Sequence, residues 1–150
     1  MKKCIAVLLA FVLVCSMVPL GASASQVATN RLDFEDGSYV IIKVTENPMR
    51  ASGSKSGNKE YTFYDSNGTA HWKATLHGSY SYTGSSAKCT SSSMDVAIYK
   101  NGWSVLSKSS SKSGNTASGY ANMGEKLLGV IVREIPVSLS LTCDANGNLS

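Results

Sequence analysis

The two histidines of this chain, His71 and His77, are its best candidates for acid–base or metal chemistry. They fall on one face of a predicted strand but six residues apart, which corresponds to about 20 Å of extended backbone. Two rings that far apart cannot bind one metal ion together, so no metal site is predicted. Serines and aspartates are numerous enough to complete a Ser-His-Asp triad, but the chain contains no GxSxG, SxxK or HExxH motif. We therefore predict no catalytic residues and keep a small hydrolase as the third functional hypothesis.

Carboxylates could act in pairs on a glycosidic bond or bind calcium. Glu60 and Asp65 lie near strand ends, at positions typical of solvated surface acids. The stretches "DSNG" and "DANGN" place Asp and Asn oxygens two residues apart, as in calcium loops. Their glycine comes too early for an EF-hand, and no closing Glu follows. Both are interpreted as turns, and no cofactor is predicted.

Two cysteines, Cys89 and Cys143, follow the N-terminal region. Two cysteines in an exported chain usually form a disulfide, and closing this loop would restrict the unfolded chain by roughly 4 kcal/mol. A redox pair would be closely spaced, and a zinc site would need clustered Cys and His residues. The spacing favours a structural disulfide between Cys89 and Cys143.

Tyrosines on polar strand faces are the remaining candidates for binding. Tyr64 and Tyr99 fall on predicted polar faces, where a tyrosine can stack on a sugar or on a partner surface. His71 is predicted to face Tyr64 across a hairpin. These three are the predicted ligand-contact residues, although packing or edge protection also explains such tyrosines. The other large aromatics are assigned to the core: Tyr61, Phe63, Trp72 and Trp103.

The first 24 residues have the pattern of a secretory signal peptide. Lys2 and Lys3 precede an apolar run, and "ASA" at residues 22–24 fits the small-residue cleavage rule. A lipoprotein anchor on Cys15 is disfavoured because Val14 precedes it. No later apolar run is long enough for a membrane span. We therefore predict a secreted, extracellular protein.

The charge of the chain argues against a nucleic-acid partner. The formal net charge is +4, and Lys2 and Lys3 of the leader supply half of it. The remaining basic residues are interspersed with acids and form no basic tract.

Asn-Gly occurs three times between alternating apolar and polar residues, the strongest short signal for a β-hairpin. A two-residue turn at Asn67-Gly68 would pair Phe63 with Trp72, Tyr61 with Ala74, Thr62 with Lys73 and Tyr64 with His71. A turn at Asn101-Gly102 would pair Ile98 with Val105 and Val96 with Ser107. The third turn follows "IPVSLSLTC", in which Cys143 lies on the apolar face.

These patterns predict an all-β protein, an antiparallel β-sandwich closed by one disulfide. The succession of Cys89, Trp103 and Cys143 suggests an immunoglobulin-like arrangement. Residues 59–150 are predicted to form the sandwich domain. Residues 25–58 are predicted to be a separate segment with one possible strand, "YVIIKVT", and a flexible linker, "ENPMRASGSKSGNK".

The stretches "KEYTFYDSNGTAHWKATLHGSYSYTGSSAKCTSSS", "NGWSVLSKSSSKSGNTASGYA" and "SLSLTCDANGNLS" resemble small secreted all-β proteins of uncharacterised function from Gram-positive, clostridial-type bacteria. The resemblance covers roughly residues 59–150. It implies a secreted β domain and supplies no catalytic residues.

The first functional hypothesis is a secreted, non-enzymatic binding module acting at or outside the cell surface. Its partner would be a surface glycan, another envelope component or a protein. The alternative is a secreted bacteriocin-like antagonist, which would expose an apolar face if it acted on membranes. The ligand and the oligomeric state are left open.

Overall fold

The computed structural model describes residues 25–47 and 53–150, so the predicted leader lies outside the described residues. The described chain contains eight strands: β1 (Ser25–Asp33), β2 (Tyr39–Glu46), β3 (Ser54–Tyr64), β4 (Ala70–Tyr82), β5 (Ala87–Ile98), β6 (Trp103–Ser113), β7 (Thr116–Leu127) and β8 (Val130–Thr142). They form two antiparallel sheets, ordered β1-β2-β3-β4-β5 and β6-β7-β8, which confirms the all-β prediction. Within these residues, no helix could cross a membrane.

The immunoglobulin-like arrangement is not confirmed. In that fold the strands of the two sheets alternate along the chain through Greek-key connections. Here the strands within each sheet follow one another in sequence order, so each sheet is a simple meander. The reason is the Asn101-Gly102 turn, which carries the chain from one sheet to the other. The predicted hairpin across it is therefore wrong: Ile98 pairs with Trp72, and Val105 pairs with Met123.

The register predicted for the first hairpin is correct except beside the turn. Phe63 pairs with Trp72, and the next two predicted pairs are also formed. Tyr64, however, pairs with Ala70 and not with His71. His71 is thus the extra residue of a β-bulge, a feature that bends a strand and redirects a side chain.

The Asn-Gly turn at Asn67-Gly68 is not the predicted two-residue type. The Gly68 N–H donates to the Asp65 carbonyl at 3.0 Å, and the Asp65 N–H donates to the Thr69 carbonyl at 3.0 Å. Gly68 has a φ of 81°, whereas Asn67 does not have a positive φ. This is a type I turn followed by a glycine bulge. The Asp side chain that opens the turn stabilises it by accepting backbone N–H groups, which explains the D-x-N-G pattern.

The turn between β7 and β8 differs from the Asn67-Gly68 turn because two residues in a row have a positive φ. Leu128 has a φ of 50° and Gly129 a φ of 83°, the geometry of a two-residue type I′ turn. Leu128 is the one described residue other than glycine with a positive φ. A leucine held in this region costs roughly 1–2 kcal/mol relative to a right-handed conformation.

The described part of residues 25–58 belongs to the five-stranded sheet and does not form a separate segment. β1 and β2 extend the sheet beyond β3, which begins at Ser54, inside the predicted linker. Gly57, in the polar first half of β3, is a position where a larger residue would not fit. A Cβ there would lie 2.3 Å from a methyl of Leu149, a buried residue near the end of the chain. Gly57 thus leaves room for an apolar side chain supplied by another segment.

The core between the sheets is built around stacked aromatic rings. Trp72 stacks on Phe63 and on Tyr61, with centroid distances of 5.5 and 5.7 Å, and Trp103 packs from the other sheet at 5.8 Å. Tyr80 joins the sheets a second time, because its hydroxyl donates to the Leu141 carbonyl at 2.6 Å. Burial raises the pKa of Tyr80, so this hydroxyl keeps its proton.

Cys89 and Cys143 are both buried and are free thiols in the structure, so the predicted disulfide is not formed there. The two residues nevertheless lie beside one turn. The Cys89 N–H donates to the Gly114 carbonyl at 2.8 Å, and the Cys143 N–H donates to the Asn115 carbonyl at 3.1 Å. Burial raises the pKa of each thiol.

Replacing Tyr80 with Phe should lower the free energy of unfolding by about 1–2 kcal/mol, because the Leu141 carbonyl loses its buried donor. Urea unfolding measures this change. Tyr120→Phe is the matched control, since Tyr120 is exposed on the outer face of the other sheet, and should change stability by less than about 0.5 kcal/mol. Equal effects of the two substitutions would contradict the proposed connection between the sheets.

Candidate functional site

A groove on the outer face of the five-stranded sheet brings Tyr64 and Tyr99 together. Tyr64 ends β3, and Tyr99 follows β5 with 55 % of its surface exposed. The groove encloses about 300 Å³. Its lining, here called the tyrosine groove, consists of Ile41, Lys43, Glu60, Thr62, Tyr64, Ala70, Lys73 and Tyr99.

One wall of the tyrosine groove is held by a stack of side chains. The rings of Tyr39 and Tyr64 lie parallel with centroids 4.9 Å apart, because these residues pair directly across β2 and β3. The Arg31 guanidinium covers the Tyr39 ring at 3.7 Å. Stacking on both sides of Tyr39 orients Tyr64 before any ligand binds.

Charged groups also line the tyrosine groove. The Lys73 ammonium donates to a Glu60 carboxylate oxygen at 3.0 Å across β3 and β4. This hydrogen bond is the main cause of the raised pKa of Lys73. The negative charge of Glu60 and the nearby side chains of Tyr99 and Tyr64 raise that pKa further. The groove therefore combines aromatic surface with donors and acceptors in fixed positions, as small-ligand sites do.

His71 does not lie with Tyr64 on the polar face, contrary to prediction. The bulge turns its ring toward the core, where only 8 % of the residue is exposed. There it meets the edge of Phe63 and the Trp103 ring of the other sheet, at centroid distances of 5.7 and 6.0 Å. His71 is thus separated from the two tyrosines with which the sequence grouped it.

The hydrogen bonds of His71 assign its tautomer. The Trp103 indole N–H donates to Nδ1 at 3.0 Å, so Nδ1 must be unprotonated. Nε2 then carries the hydrogen and donates to Asp65 Oδ2 at 3.1 Å. The Lys100 ammonium lies 3.2 Å from Nε2 and 3.7 Å from the same Asp65 oxygen. Because Nε2 carries the hydrogen in this tautomer, the carboxylate is the favourable partner of the ammonium. While these bonds are kept, His71 has no free lone pair to accept a proton from a serine hydroxyl.

A second cleft lies next to His71 at the end of the sandwich. It encloses about 180 Å³, and its lining includes Phe63, His71, Trp103 and Arg133. The Arg133 guanidinium lies 5.2 Å from the centre of the Phe63 ring and pairs with Asp36 at 2.9 Å. This cleft is smaller than the tyrosine groove and its Phe63 and Trp103 rings are buried, which makes it a weaker ligand site.

His77 lies on the outer face of the same sheet, apart from His71. Its Nδ1 lies 2.7 Å from Asn58 Oδ1, and its Nε2 lies 3.3 Å from Asp95 Oδ2. Among residues 25–47 and 53–150, no three His, Cys, Asp or Glu side chains are grouped so that they could hold a metal ion.

Sequence reasoning missed the parts of the site that depend on pairing across strands. Glu60 was interpreted as a solvated acid, and Lys73 was only one half of a predicted strand pair. The signal that could have found them is the register itself, which places Glu60 diagonally opposite Lys73 on one face.

Replacing Asp65 with Asn should reduce the loss of stability in acid. Backbone donation from Thr69, helped by His71 and Asn67, lowers the pKa of Asp65 in the folded chain. A lowered pKa means that the carboxylate stabilises the fold above its unfolded pKa of about 4 and that this contribution is lost as pH falls through the lower folded value. Asn keeps an acceptor for the turn but has no charge.

Urea midpoints measured between neutral pH and about pH 3 test this expectation. Asp65→Asn should show a shallower acid dependence than the unsubstituted chain, and the part that remains comes from Asp36 and Asp144, whose pKa values are also lowered. Identical pH profiles would show that the Asp65 charge does not contribute.

Comparison of this chain with protein-family models, curated proteins and solved structures finds no match. The resemblance drawn from residues 59–150 therefore stays a prediction. The residues that bind or react have to be inferred from the geometry of the chain itself.

Proposed function

We propose that this chain is a secreted, non-enzymatic binding module that holds a glycan in the tyrosine groove, at or outside the cell surface. The observation that carries the proposal is that Tyr64 and Tyr99 line one groove with the Glu60–Lys73 pair between the strands. Export rests on the leader pattern of residues 1–24.

A glycan fits this groove better than an apolar ligand does. Tyrosine rings offer flat apolar surface to the C–H faces of a sugar, and their hydroxyls remain free to form hydrogen bonds. Glu60 accepts and Lys73 donates, which matches the mixed donors and acceptors of sugar hydroxyls. The Tyr39–Tyr64 stack orients one ring in advance and so reduces the entropy lost on binding.

Replacing Tyr99 with Ala should weaken glycan binding about tenfold or more, because interface tyrosines often contribute over 1 kcal/mol. The measurement is binding of the chain 25–150, which contains all eight described strands, to an array of glycans and cell-wall fractions. Tyr120→Ala is the matched control, since it removes an exposed tyrosine from the other sheet. If the chain bound no glycan or wall fraction, or if both variants bound equally well, the proposal would fail.

We also infer that Cys89 and Cys143 form a disulfide once the chain is exported. Both are buried, and their backbones bond to the same turn at Gly114 and Asn115. Cys89 also lies close enough to contribute to the raised pKa of Cys143, whose main cause is burial. Exchange with an external small-molecule disulfide would join the two sulfurs and reduce that molecule to two thiols. The bond would connect β5 of one sheet to the end of β8 in the other.

Oxidised and reduced samples of the chain 25–150 should therefore differ in stability by roughly 2–4 kcal/mol. Mass spectrometry after thiol labelling counts free cysteines, and urea unfolding measures the difference. Cys89→Ser should be insensitive to reductant. Two labelled thiols after exposure to oxidised glutathione would contradict the inference.

A further inference from the structure

The hairpin of β7 and β8 carries apolar side chains out of the sandwich. Residues 127–132, here called the apolar tip, read Leu-Leu-Gly-Val-Ile-Val. Every side chain in it is exposed, from 41 % at Ile131 to 97 % at Leu128. The last buried residue of β7 is Gly124, and the first of β8 is Ile135, so the apolar tip lies beyond the core.

Leu128 does not serve the fold. It occupies the first position of a type I′ turn, where Asn or Gly is favoured because φ is positive. Its side chain is almost fully exposed and gains nothing from burial in this structure. A strained backbone position held by an exposed apolar residue points to a role outside the core.

The apolar tip is apolar on all sides. Leu127 pairs with Val130, while Ile131 pairs with Lys126 on the next position of the ladder. The register shifts beside Lys126, so Val132 is an extra residue and departs from the regular alternation. A flat protein partner would cover one face of such a hairpin, whereas a hydrocarbon layer would surround it.

Charged residues are ordered by distance from the apolar tip. Lys126 and Arg133 flank it directly, and Glu125 and Glu134 follow one residue further away. The Lys126 N–H donates to the Gly102 carbonyl at 2.6 Å, which places the turn that contains Lys100 beside it. Arg133 pairs with Asp36, and Lys100 pairs with Asp65. Among the described residues, Lys126 is therefore the flanking base that is left to meet a ligand. An apolar tip followed by such a base matches a bilayer with anionic headgroups, which attract Lys and Arg just outside the hydrocarbon.

We infer that the apolar tip inserts into the surface of an anionic phospholipid bilayer. At roughly 3.3 Å per residue, three positions of the hairpin reach about 10 Å, enough to enter the boundary between headgroups and acyl chains without crossing the bilayer. The inference is independent of the tyrosine groove, which lies on the outer face of the five-stranded sheet.

Sedimentation of the chain 25–150 with phospholipid vesicles tests the inference. The chain should bind vesicles of phosphatidylcholine that contain phosphatidylglycerol and should bind pure phosphatidylcholine much more weakly. Leu128→Asn should weaken vesicle binding about tenfold or more while raising the urea midpoint, because Asn-Gly suits the turn. A variant that is more stable yet binds less cannot be explained by misfolding.

Leu32→Asn is the matched control, since Leu32 is 52 % exposed on the edge strand β1, and it should leave vesicle binding unchanged. Tyr99→Ala should also leave it unchanged, which separates this result from the test of glycan binding. Unchanged vesicle binding by Leu128→Asn would overturn the inference. So would concentration-dependent dimers that form without lipid and are abolished by Leu128→Asn, which would indicate that the apolar tip is a self-association surface.

Discussion

The bulge at His71 is the constraint on which the arrangement of both sheets depends. One extra residue in β4 turns the imidazole inward, where it accepts the Trp103 indole N–H from the other sheet. The same residue presents its carbonyl to the N–H groups of Tyr99 and Lys100, at 2.8 and 3.1 Å. The side chain thus connects the sheets, and the backbone holds the segment through which the chain crosses between them.

This arrangement couples the core to the tyrosine groove. The His71 carbonyl accepts the Tyr99 N–H and so holds the backbone of Tyr99 in place. Tyr64 lies on β3, the strand that pairs opposite the bulge. A change at His71 would therefore affect the groove although the imidazole does not line it. Asp65 completes the connection, because one oxygen holds the β3–β4 turn and the other accepts from His71.

Much of the fold could be predicted from alternation and turn residues, which act locally. The pairs of Phe63 with Trp72 and Tyr61 with Ala74 follow from one Asn-Gly and a period of two. The same dipeptide at Asn101-Gly102 led to a wrong hairpin. Glycine adopts a positive φ easily, and such a turn can connect two sheets as well as two paired strands. The bulge at His71 could not be predicted from the register. The loop is one residue longer than the predicted two-residue turn, and the extra residue in β4 shifts the pairing back by the same amount. The pairs beyond the bulge are therefore the predicted ones.

The site was partly predictable for a similar reason. Polar-face tyrosines can be recognised one by one, but their meeting in one groove depends on Tyr99 folding back against β4. The apolar tip is plain in the sequence as "LLGVIV", yet apolar residues are normally assigned to a core. Only the end of the buried pattern at Gly124 and Ile135 shows that this stretch lies outside it.

The packing of Leu149 over Gly57 has a consequence for the order of folding. A chain is synthesised from its N-terminus, and β1 to β5 can pair in succession as they emerge. The space above Gly57 stays open until the Leu149 side chain packs there. The Leu149 backbone then bridges to Cys143, and its N–H donates to the Glu46 carboxylate. The sandwich therefore cannot close over Gly57 until Leu149 has joined β2 and β3, so this corner is completed by segments that lie far apart along the described chain.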